Sequence, residues 1–243
     1  MALLGTIVNA IAIIAGSFIG FFWRNINEKM KTTILQGLSI TVLILGIDMA
    51  LQSNRIIIVV ASIAIGAMVG EKLDLEGKMN YFGFWLETKT GASEGGISAA
   101  FVTATLVFVV GAVGIVGALD SGLRGDHTVL FTKSLIDGTL AIFLTSTLGI
   151  GIMFSALPVF IFQAAITILA AQIDRFIPPD LMDQMIVEIT GTGGIMIIAI
   201  GIRLLGILNI RVANLLPAIL FTVIIVAVIY YWDSALQSVM QIF

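Results

Sequence analysis

Cysteine is absent from the 243-residue chain, and histidine occurs once, at His127. Without cysteine there is no disulfide, no thiolate metal ligand and no cysteine nucleophile. One imidazole is too few for a histidine-based metal centre, so we expect no metal and no cofactor. The formal net charge of −3 speaks against nucleic acid as a partner, because phosphate backbones attract basic proteins.

Charged side chains are also scarce. They make up 11% of the residues, whereas hydrophobic residues make up 59%; an ordinary soluble domain carries about 25% charged residues. So few charges cannot cover the surface of a soluble protein of this size, and part of that surface must therefore contact lipid. The composition predicts an all-α membrane protein, since backbone polar groups in hydrocarbon must pair within their own segment.

Apolar runs recur along the chain, and a membrane span requires about 20 residues. The first run lacks the basic segment and the cleavage site of a signal peptide, so we interpret it as a retained span. We expect about eight transmembrane helices, at residues 2–23, 32–51, 56–69, 97–119, 128–148, 153–172, 181–205 and 212–232. The boundary between the fifth and sixth spans is the weakest, because no charge interrupts residues 138–173.

Lysine and arginine are unevenly distributed between the loops. If both termini lie outside, eight basic residues fall on the inner side and four on the outer side. Short cytoplasmic loops are enriched in these residues, so we expect a multi-pass protein of the bacterial cytoplasmic (inner) membrane with an N-out and C-out orientation. The inner set is Arg24, Lys29, Lys31, Lys72, Lys78, Lys89, Arg203 and Arg211, and the outer set is Arg55, Arg124, Lys133 and Arg175.

Residues 73–96 are more polar than the spans. Met79, Phe82 and Leu86 fall on one face of a helix, while Tyr81 and Trp85 lie one turn apart, and aromatic residues favour the membrane interface. We expect one interfacial amphipathic helix on the inner surface, followed by a flexible linker at residues 91–96. A structural anchor between two halves of the protein is one interpretation, and a regulatory or lipid-sensing element is the other.

A single transmembrane domain covers residues 1–243. It divides into a first three-helix unit (1–72), the interfacial helix and linker (73–96), a second three-helix unit (97–173) and two final spans (181–243). An odd number of spans inverts the second unit, as in the inverted repeats of many transporters. The matches between the units are short, and chance similarity between apolar helices explains them equally well.

Two acids lie deepest in the apolar runs, Asp137 in the fifth and Glu188 in the seventh. An ionisable group within a span costs about 2.5–3.5 kcal/mol on insertion scales and usually faces a cavity or a partner. Three glycines within residues 191–194 weaken the seventh helix, and the free carbonyls of a broken helix suit Na⁺ or H⁺. We therefore predict one shared cation site, completed by Gly138, Thr139, Thr190, Gly191 and Thr192. The alternative is that the glycines serve close packing and the acids lie near the interface.

Further polar residues lie inside the spans. Lys133 precedes Asp137 by four residues and shares its helix face, so the two form an ion pair or Lys133 extends to the interface. Asn9 and Gln163 are candidate solute ligands, although polar residues in spans more often hydrogen-bond helices together. Other residues have structural interpretations: Asp48 and Arg203 as interface charges, Gly111, Gly114 and Gly117 as a packing face, and Pro158 and Pro217 as sites of kinks.

The sequence contains no zinc-protease, nucleophile-elbow, P-loop or dinucleotide-binding motif, so we do not expect an enzyme. It does contain a distinctive set of short segments: residues 5–10 (GTIVNA), 110–119 (VGAVGIVGAL), 122–127 (GLRGDH), 133–138 (KSLIDG), 146–151 (STLGIG), 154–158 (FSALP) and 214–218 (NLLPA). Together these segments resemble the bacterial YdfK/YqgA family of polytopic membrane proteins. One departure is Asp120-Ser121, where the family pattern has a Gln-Asp pair. The resemblance implies a membrane or transport protein and says little about a substrate.

The leading hypothesis is a secondary transporter or exporter of a small polar solute or ion, coupled to H⁺ or Na⁺ through the intramembrane carboxylates. An ion or small-solute channel and a non-transporting membrane scaffold are the alternatives. The expected partners are the lipid bilayer and a small solute or ion. A homodimer is compatible with the small-residue faces.

Overall fold

A computed structural model describes residues 2–23, 27–90, 96–109 and 111–240 of the chain. These residues form eleven α-helices and one short 3-10 turn, with no strand among them: α1 Leu4–Phe22, α2 Glu28–Leu51, α3 Ile56–Leu73, α4 Leu75–Thr90, α5 Ile97–Val109, α6 Ala112–Leu123, α7 Thr128–Leu148, α8 Gly151–Phe154, α9 Ala156–Phe176, α10 Pro179–Leu204, the 3-10 turn Val212–Leu215 and α11 Pro217–Met240. In this part of the chain seven helices are long and apolar enough to cross a membrane, and eight if the bent pair α5–α6 counts as one span. The all-α membrane fold is confirmed.

The fourth span is broken rather than continuous. α5 and α6 meet at an angle of 60°, and Gly111 precedes α6 with φ 138° and ψ 149°. Because a side chain at this φ would be strained, glycine permits the break. The first N–H groups of α6 and the last carbonyls of α5 thereby lose their intrahelical partners in the middle of an apolar run.

The seventh span is continuous, so the expectation of a helix broken at residues 191–194 is wrong. α10 runs without interruption from Pro179 to Leu204. Two of its glycines face α2 and the turn after it: a β-carbon on Gly191 would lie 2.6 Å from Cβ of Ser53, and one on Gly194 would lie 2.6 Å from the backbone O of Gly46. The glycines therefore allow two helices to approach closely, which was the alternative interpretation.

The most extensive helix contacts join α1 with α7, α2 with α10, α3 with α11 and α6 with α9. α1 and α7 are parallel, because Gly5 lies against Leu130 and Gly20 against Thr145. This pairing sets the middle of α1 beside the middle of α7. The inverted relation between residues 1–72 and 97–173 stays a prediction.

Helix α5 lies in the interior of the bundle, and every residue from Phe101 to Phe108 is buried. It contacts α4, α7, α8, α9 and α10. A helix enclosed on all sides can be hydrophobic all round, which explains why its sequence shows no amphipathic pattern. The burial ends at the break, where Val109 and Gly111 are half-buried.

We name the two ends of the bundle after residues that mark them. The His127 face holds the α6–α7 loop and the α9–α10 loop, because Asp120, Asp174 and Pro179 line one cavity there. The Gly149 face holds the α7–α8 turn and α4, since Gly151 lies against Ile97 and the hydroxyl of Ser98 donates to Asn80 Oδ1 at 2.9 Å.

The polar segment after the third span is helical, as expected, and forms α4. Tyr81, Phe84 and Trp85 are exposed, whereas Met79 packs against the core. The side chains of Phe82 and Leu86 and the linker at residues 91–95 lie outside the described residues. The position of α4 at a membrane surface stays a prediction.

Pro158 and Pro217 do not kink helix interiors. Pro158 is the third residue of α9 and Pro217 is the first residue of α11. In the first turn of a helix the missing N–H of proline removes no intrahelical hydrogen bond. These prolines therefore mark helix starts.

Candidate functional site

The central feature of the bundle is an ion pair within α7. Nζ of Lys133 lies 2.9 Å from Oδ1 and 2.7 Å from Oδ2 of Asp137. Lys133 is 8% exposed and Asp137 is 3% exposed. Of the two interpretations that the spacing allowed, the structure shows the ion pair, and Lys133 does not extend to the interface.

Two amide side chains from other helices complete the cluster. Nδ2 of Asn9, on α1, donates to Asp137 Oδ2 at 3.1 Å and to Gln163 Oε1 at 3.3 Å. The carboxylate fixes both amide orientations, since Asn9 must donate to it and Gln163 must then accept from Asn9. Asn9 Oδ1 and Gln163 Nε2 are left buried without a partner in the described part of the chain. One acceptor and one donor are therefore available in the middle of the protein.

The start of α6 lies beside this cluster. A β-carbon on Gly114 would lie 3.3 Å from Cε of Lys133 and 3.9 Å from Nε2 of Gln163. The N-cap residue of α6 is Gly111, which has no side chain to cap the helix, and a helix N-terminus carries partial positive charge and free N–H donors. The broken span thus faces the free donor of Gln163 and the stem of the lysine.

The cluster lies near the middle of the spanning helices. Asp137 is nine residues from the start of α7 at Thr128, a distance of about 14 Å at the helical rise. A buried ion pair gains little net stability, because the desolvation of both charges offsets their attraction. Two unpartnered amide atoms add a further cost. Such an arrangement at this depth is typical of functional residues in membrane proteins.

Leu130 separates the cluster from the His127 face. Its side chain is fully buried and fits between two glycines, since β-carbons on Gly5 and Gly117 would each lie 2.9 Å from it. On the far side of Leu130 the hydroxyl of Ser121 lies 2.9 Å from His127 Nδ1. The apolar side chain of Leu130 therefore lies in the α1–α6–α7 interface, between the Ser121–His127 pair and the buried cluster.

The sequence of the chain matches known bacterial proteins. A family model described as "Protein of unknown function (DUF554)" matches residues 4–227. The chain belongs to this DUF554 family. It is 34% identical to the uncharacterized membrane protein YdfK of Bacillus subtilis over 231 residues, covering 93% of this chain and 96% of the relative. It is 27% identical to the uncharacterized protein YqgA of Escherichia coli over 224 residues, covering 89% and 93%. No solved structure matches. The resemblance noted from the short segments is confirmed.

Glu188 of the DUF554 protein does not join Asp137. Its carboxylate accepts from Ser53 Oγ at 2.6 Å and from the backbone N–H groups of Asn54 and Arg55 at 3.1 and 3.0 Å. These groups precede α3, so Glu188 caps the start of that helix. In the described residues the two carboxylates share no hydrogen-bonding partner, so these contacts do not support one shared cation site, and that site stays a prediction.

The glycines and threonines of that prediction also have separate roles. Gly138 allows α1 to approach, and Gly191 allows Ser53 to approach. The hydroxyls of Thr139 and Thr190 donate to backbone carbonyls one turn earlier, and Thr192 bonds the hydroxyl of Thr222. Threonine hydroxyls inside helices commonly bond in this way, so these contacts have a structural explanation and cation binding by these residues stays a prediction.

A second polar network of this DUF554 chain lies toward the Gly149 face and was not expected from the sequence. Glu76, 4% exposed, accepts from Arg203 Nη1 at 2.6 Å and from the backbone N–H of Ala213 at 2.9 Å. Asn214 accepts from the backbone of Glu76 and donates to Glu71 Oε2 at 2.6 Å. Arg203 is thus an ion-pair partner rather than a simple interface charge. In the described residues none of these side chains has a buried polar atom without a partner, and the network joins α3, α4 and α10 to the segment before α11.

Proposed function

We propose that this DUF554 protein is a proton-coupled secondary transporter of a small polar solute or ion in the bacterial cytoplasmic membrane. The observation that supports it is the buried Lys133–Asp137 pair, which meets Asn9 and Gln163 beside a broken span. An arrangement that only joined helices would satisfy its polar atoms, because each unsatisfied buried group costs free energy. Discontinuous helices at mid-membrane depth are a recurring feature of transporter binding sites.

Protons suit this site better than Na⁺. Nζ of Lys133 lies 2.7 Å from Asp137 Oδ2, so a coordinated Na⁺ would first have to displace the ammonium. A proton needs no such space, because it adds to the Asp137 carboxylate and removes the charge that holds Lys133. The freed ammonium can then bind a solute group, and loss of the proton restores the ion pair.

The closed path toward the His127 face favours a transporter over a channel. Leu130 is fully buried between α1 and α6, so its apolar side chain lies between His127 and the cluster. A channel requires a continuous path, whereas alternating access requires closure on at least one side. The cycle would open the two faces in turn around Asp137.

We propose in addition that both termini lie outside, which would place α4 at the cytoplasmic surface. The exposed residues Lys78 on α4 and Asp180 at the start of α10 report on opposite faces. In the otherwise cysteine-free chain, Asp180→Cys should react with an impermeant thiol reagent on intact cells and Lys78→Cys should not. The reverse labelling pattern would overturn this orientation.

The test of the function is proton movement in liposomes that contain the purified protein and an internal pH dye. Nitrate, chloride, glycine, urea and Na⁺ salts are added in turn, and one of them should produce a pH change that is absent from protein-free liposomes. Asp137→Asn should reduce this change to background, since the amide cannot carry the proton. Asp180→Asn, the same substitution at an exposed position, should leave it intact.

Folding is checked by size-exclusion chromatography and thermal unfolding. If Asp137→Asn does not fold, the double variant Lys133→Met/Asp137→Asn replaces it, because it removes both charges together. Proton-coupled transport at the wild-type rate in either folded variant would contradict the proposal, and so would the absence of a solute-dependent pH change across all five classes of solute.

A further inference from the structure

We infer that the solute is a small monovalent anion, bound at the N-terminus of α6 between Lys133 and Gln163. The transport part of this inference rests on the proposed function. Its binding part rests on the geometry of the cluster alone, and the two can be measured separately.

One unpartnered hydrogen-bond donor and the stem of a lysine lie beside Gly114. Gln163 Nε2 is a buried amide donor without a partner in the described residues, and it lies 3.9 Å from the β-carbon position of Gly114. The first turn of α6, whose N-cap residue is Gly111, supplies backbone N–H groups and the positive end of the helix dipole. Helix N-termini bind anions for both reasons. Cε of Lys133 lies 3.3 Å from the same β-carbon position, and its ammonium, now on Asp137, is the positive charge that would face the anion.

Charge balance links the anion to the proton. Lys133 and Asp137 together are neutral, so an anion alone would leave the cluster with one net negative charge and a proton alone with one net positive charge. Either state is costly where the dielectric is low. When the proton on Asp137 and the anion on Lys133 bind together, the cluster stays neutral. The two ions are therefore expected to move together, in the same direction.

The charge balance depends on the cluster itself, because the ionisable residues of the neighbouring helices lie away from Asp137. α7 packs against α1, α2, α5, α6 and α8. α1, α5 and α8 contain no ionisable residue. The ionisable residues of α2, α6 and α9 lie toward the ends of these helices; α9 is included because it supplies Gln163. They are Glu28, Lys29, Lys31 and Asp48 on α2, Asp120 on α6, and Asp174 and Arg175 on α9. Lys133 is thus the cation that faces Asp137 at hydrogen-bonding distance in the described part of the chain.

The anion must be small and singly charged. The side chains of Asn9, Lys133, Asp137 and Gln163 are all at most 8% exposed and already contact one another, so a large solute requires extensive rearrangement. A divalent anion would leave one charge without a partner. Nitrate and chloride fit these limits, whereas sulfate and phosphate do not.

Binding is tested by thermal unfolding of the detergent-solubilised protein at mildly acidic pH. Sodium nitrate and sodium chloride should raise the unfolding temperature above that in sodium gluconate at equal ionic strength, because a ligand of the folded state stabilises it by mass action. Equal unfolding temperatures in all three salts would overturn the site.

The decisive variant is Gln163→Glu. It keeps the acceptor for Asn9 and replaces the free donor with an oxygen that repels an anion. The nitrate concentration for half-maximal stabilisation should rise about tenfold or more, as expected for the loss of one charge-assisted hydrogen bond. Gln172→Glu, the same change at an exposed position of α9, should leave it unchanged.

A second variant covers the case in which Gln163→Glu does not fold. Gly114→Ala places a methyl group 3.3 Å from Cε of Lys133, in the space assigned to the anion, and should also weaken nitrate binding. Gly37→Ala is its control, since nothing lies within 4 Å of that position. Undiminished nitrate binding in Gly114→Ala or Gln163→Glu would contradict the assignment.

Flux in liposomes separates this inference from the proposed function. A pH change on addition of nitrate or chloride supports both. A pH change with glycine, urea or Na⁺ but not with either anion leaves proton-coupled transport standing and overturns the anion assignment. Stabilisation by nitrate without any pH change supports the binding site and contradicts the transporter.

Discussion

The two buried acids of this protein, Asp137 and Glu188, have similar surroundings in the sequence and different ones in the structure. Each lies within an apolar run and is followed by glycine and threonine, and each is 3% exposed. The Glu188 carboxylate accepts three hydrogen bonds from groups that start α3. The Asp137 carboxylate is held by Lys133 and by Asn9, whose other amide atom has no partner in the described residues.

The difference separates an acid with a structural role from one that we propose to be functional. A carboxylate that accepts from backbone N–H groups at a helix start stabilises that helix and leaves nothing for a ligand to complete. A carboxylate paired with a lysine, next to a free donor and a free acceptor, forms a group whose hydrogen bonds are incomplete. Burial alone does not separate the two cases; the pairing of the neighbouring atoms does.

The largest effect on stability is expected from the lysine of the cluster. Lys133→Met leaves the Asp137 carboxylate buried without its cation, which should destabilise the protein by about 3–5 kcal/mol. Adding Asp137→Asn removes the stranded charge and should restore most of this loss. Thermal unfolding of the single and double variants in the same detergent measures both. A double variant as unstable as Lys133→Met would mean that the ion pair is not the source of the effect.

The next effect concerns access to the cluster. Leu130→Ala removes the side chain that fills the space between Gly5 and Gly117, at a cost of about 2–5 kcal/mol for a buried leucine. It should also admit water from the His127 face. Thr6→Cys, a buried position one turn from Asn9, should react with a small thiol reagent much faster when Leu130 is shortened. Equal labelling rates with leucine and alanine at residue 130 would show that Leu130 does not close the path.

A smaller effect is expected at the other acid. Glu188→Gln weakens the hydrogen bonds from Ser53, Asn54 and Arg55 and should destabilise the protein by about 1–3 kcal/mol. Solute-driven proton movement in liposomes, per folded molecule, should stay at the wild-type rate, because Glu188 caps α3 and carries no transported proton. Ser53→Ala serves as the matched control, since it removes one bond of the same cap. Loss of proton movement in Glu188→Gln alone would remove the distinction between the two acids.

The smallest effect is expected at a fully exposed acid, Asp126 in the α6–α7 loop. The backbone N–H of Thr128, which donates to Asp126 Oδ1 at 2.9 Å, lowers the pKa of this carboxyl, with the Thr128 side chain as the next cause. A carboxyl group whose pKa is lower in the folded state than in the unfolded state stabilises the folded protein at pH values above its unfolded pKa. This stabilisation is lost as the pH falls through the folded pKa. Asp126→Asn should therefore lower the unfolding temperature slightly at neutral pH and not at strongly acidic pH. A difference of the same size at both pH values would assign it to something other than the charge.

The helices themselves could be predicted from the sequence, because span length follows from composition and bilayer thickness. The pairing of Lys133 with Asp137 could also be predicted, since residues four apart share a helix face. Asn9 and Gln163 could be identified as polar residues inside spans. Their meeting with Asp137 could not, because they are separated from each other by 154 positions and only the packing of α1, α7 and α9 brings them together.

The positions of the glycines did not indicate which helix is broken. Of the three glycines within residues 191–194, Gly194 allows α2 to approach α10 and Gly191 allows Ser53 to approach, whereas the helix breaks at Gly111, where glycines are more widely spaced. The intrinsic cost of glycine in a helix is about 1 kcal/mol, and the burial of neighbouring surface easily exceeds it. Glu76 and Asn214 were missed for a related reason: their partners lie on separate helices, and no local pattern marks them.

The sequence by itself determined that this protein is a bundle of membrane-spanning helices with a few ionisable groups inside it, because the hydrophobic effect and backbone hydrogen bonding act on each apolar run separately. The tertiary structure decided which buried acid caps a helix, which one meets unpartnered amides, and which span breaks. Those outcomes depend on contacts between helices distant in sequence, where the packing of one side chain against another decides whether a polar atom finds a partner.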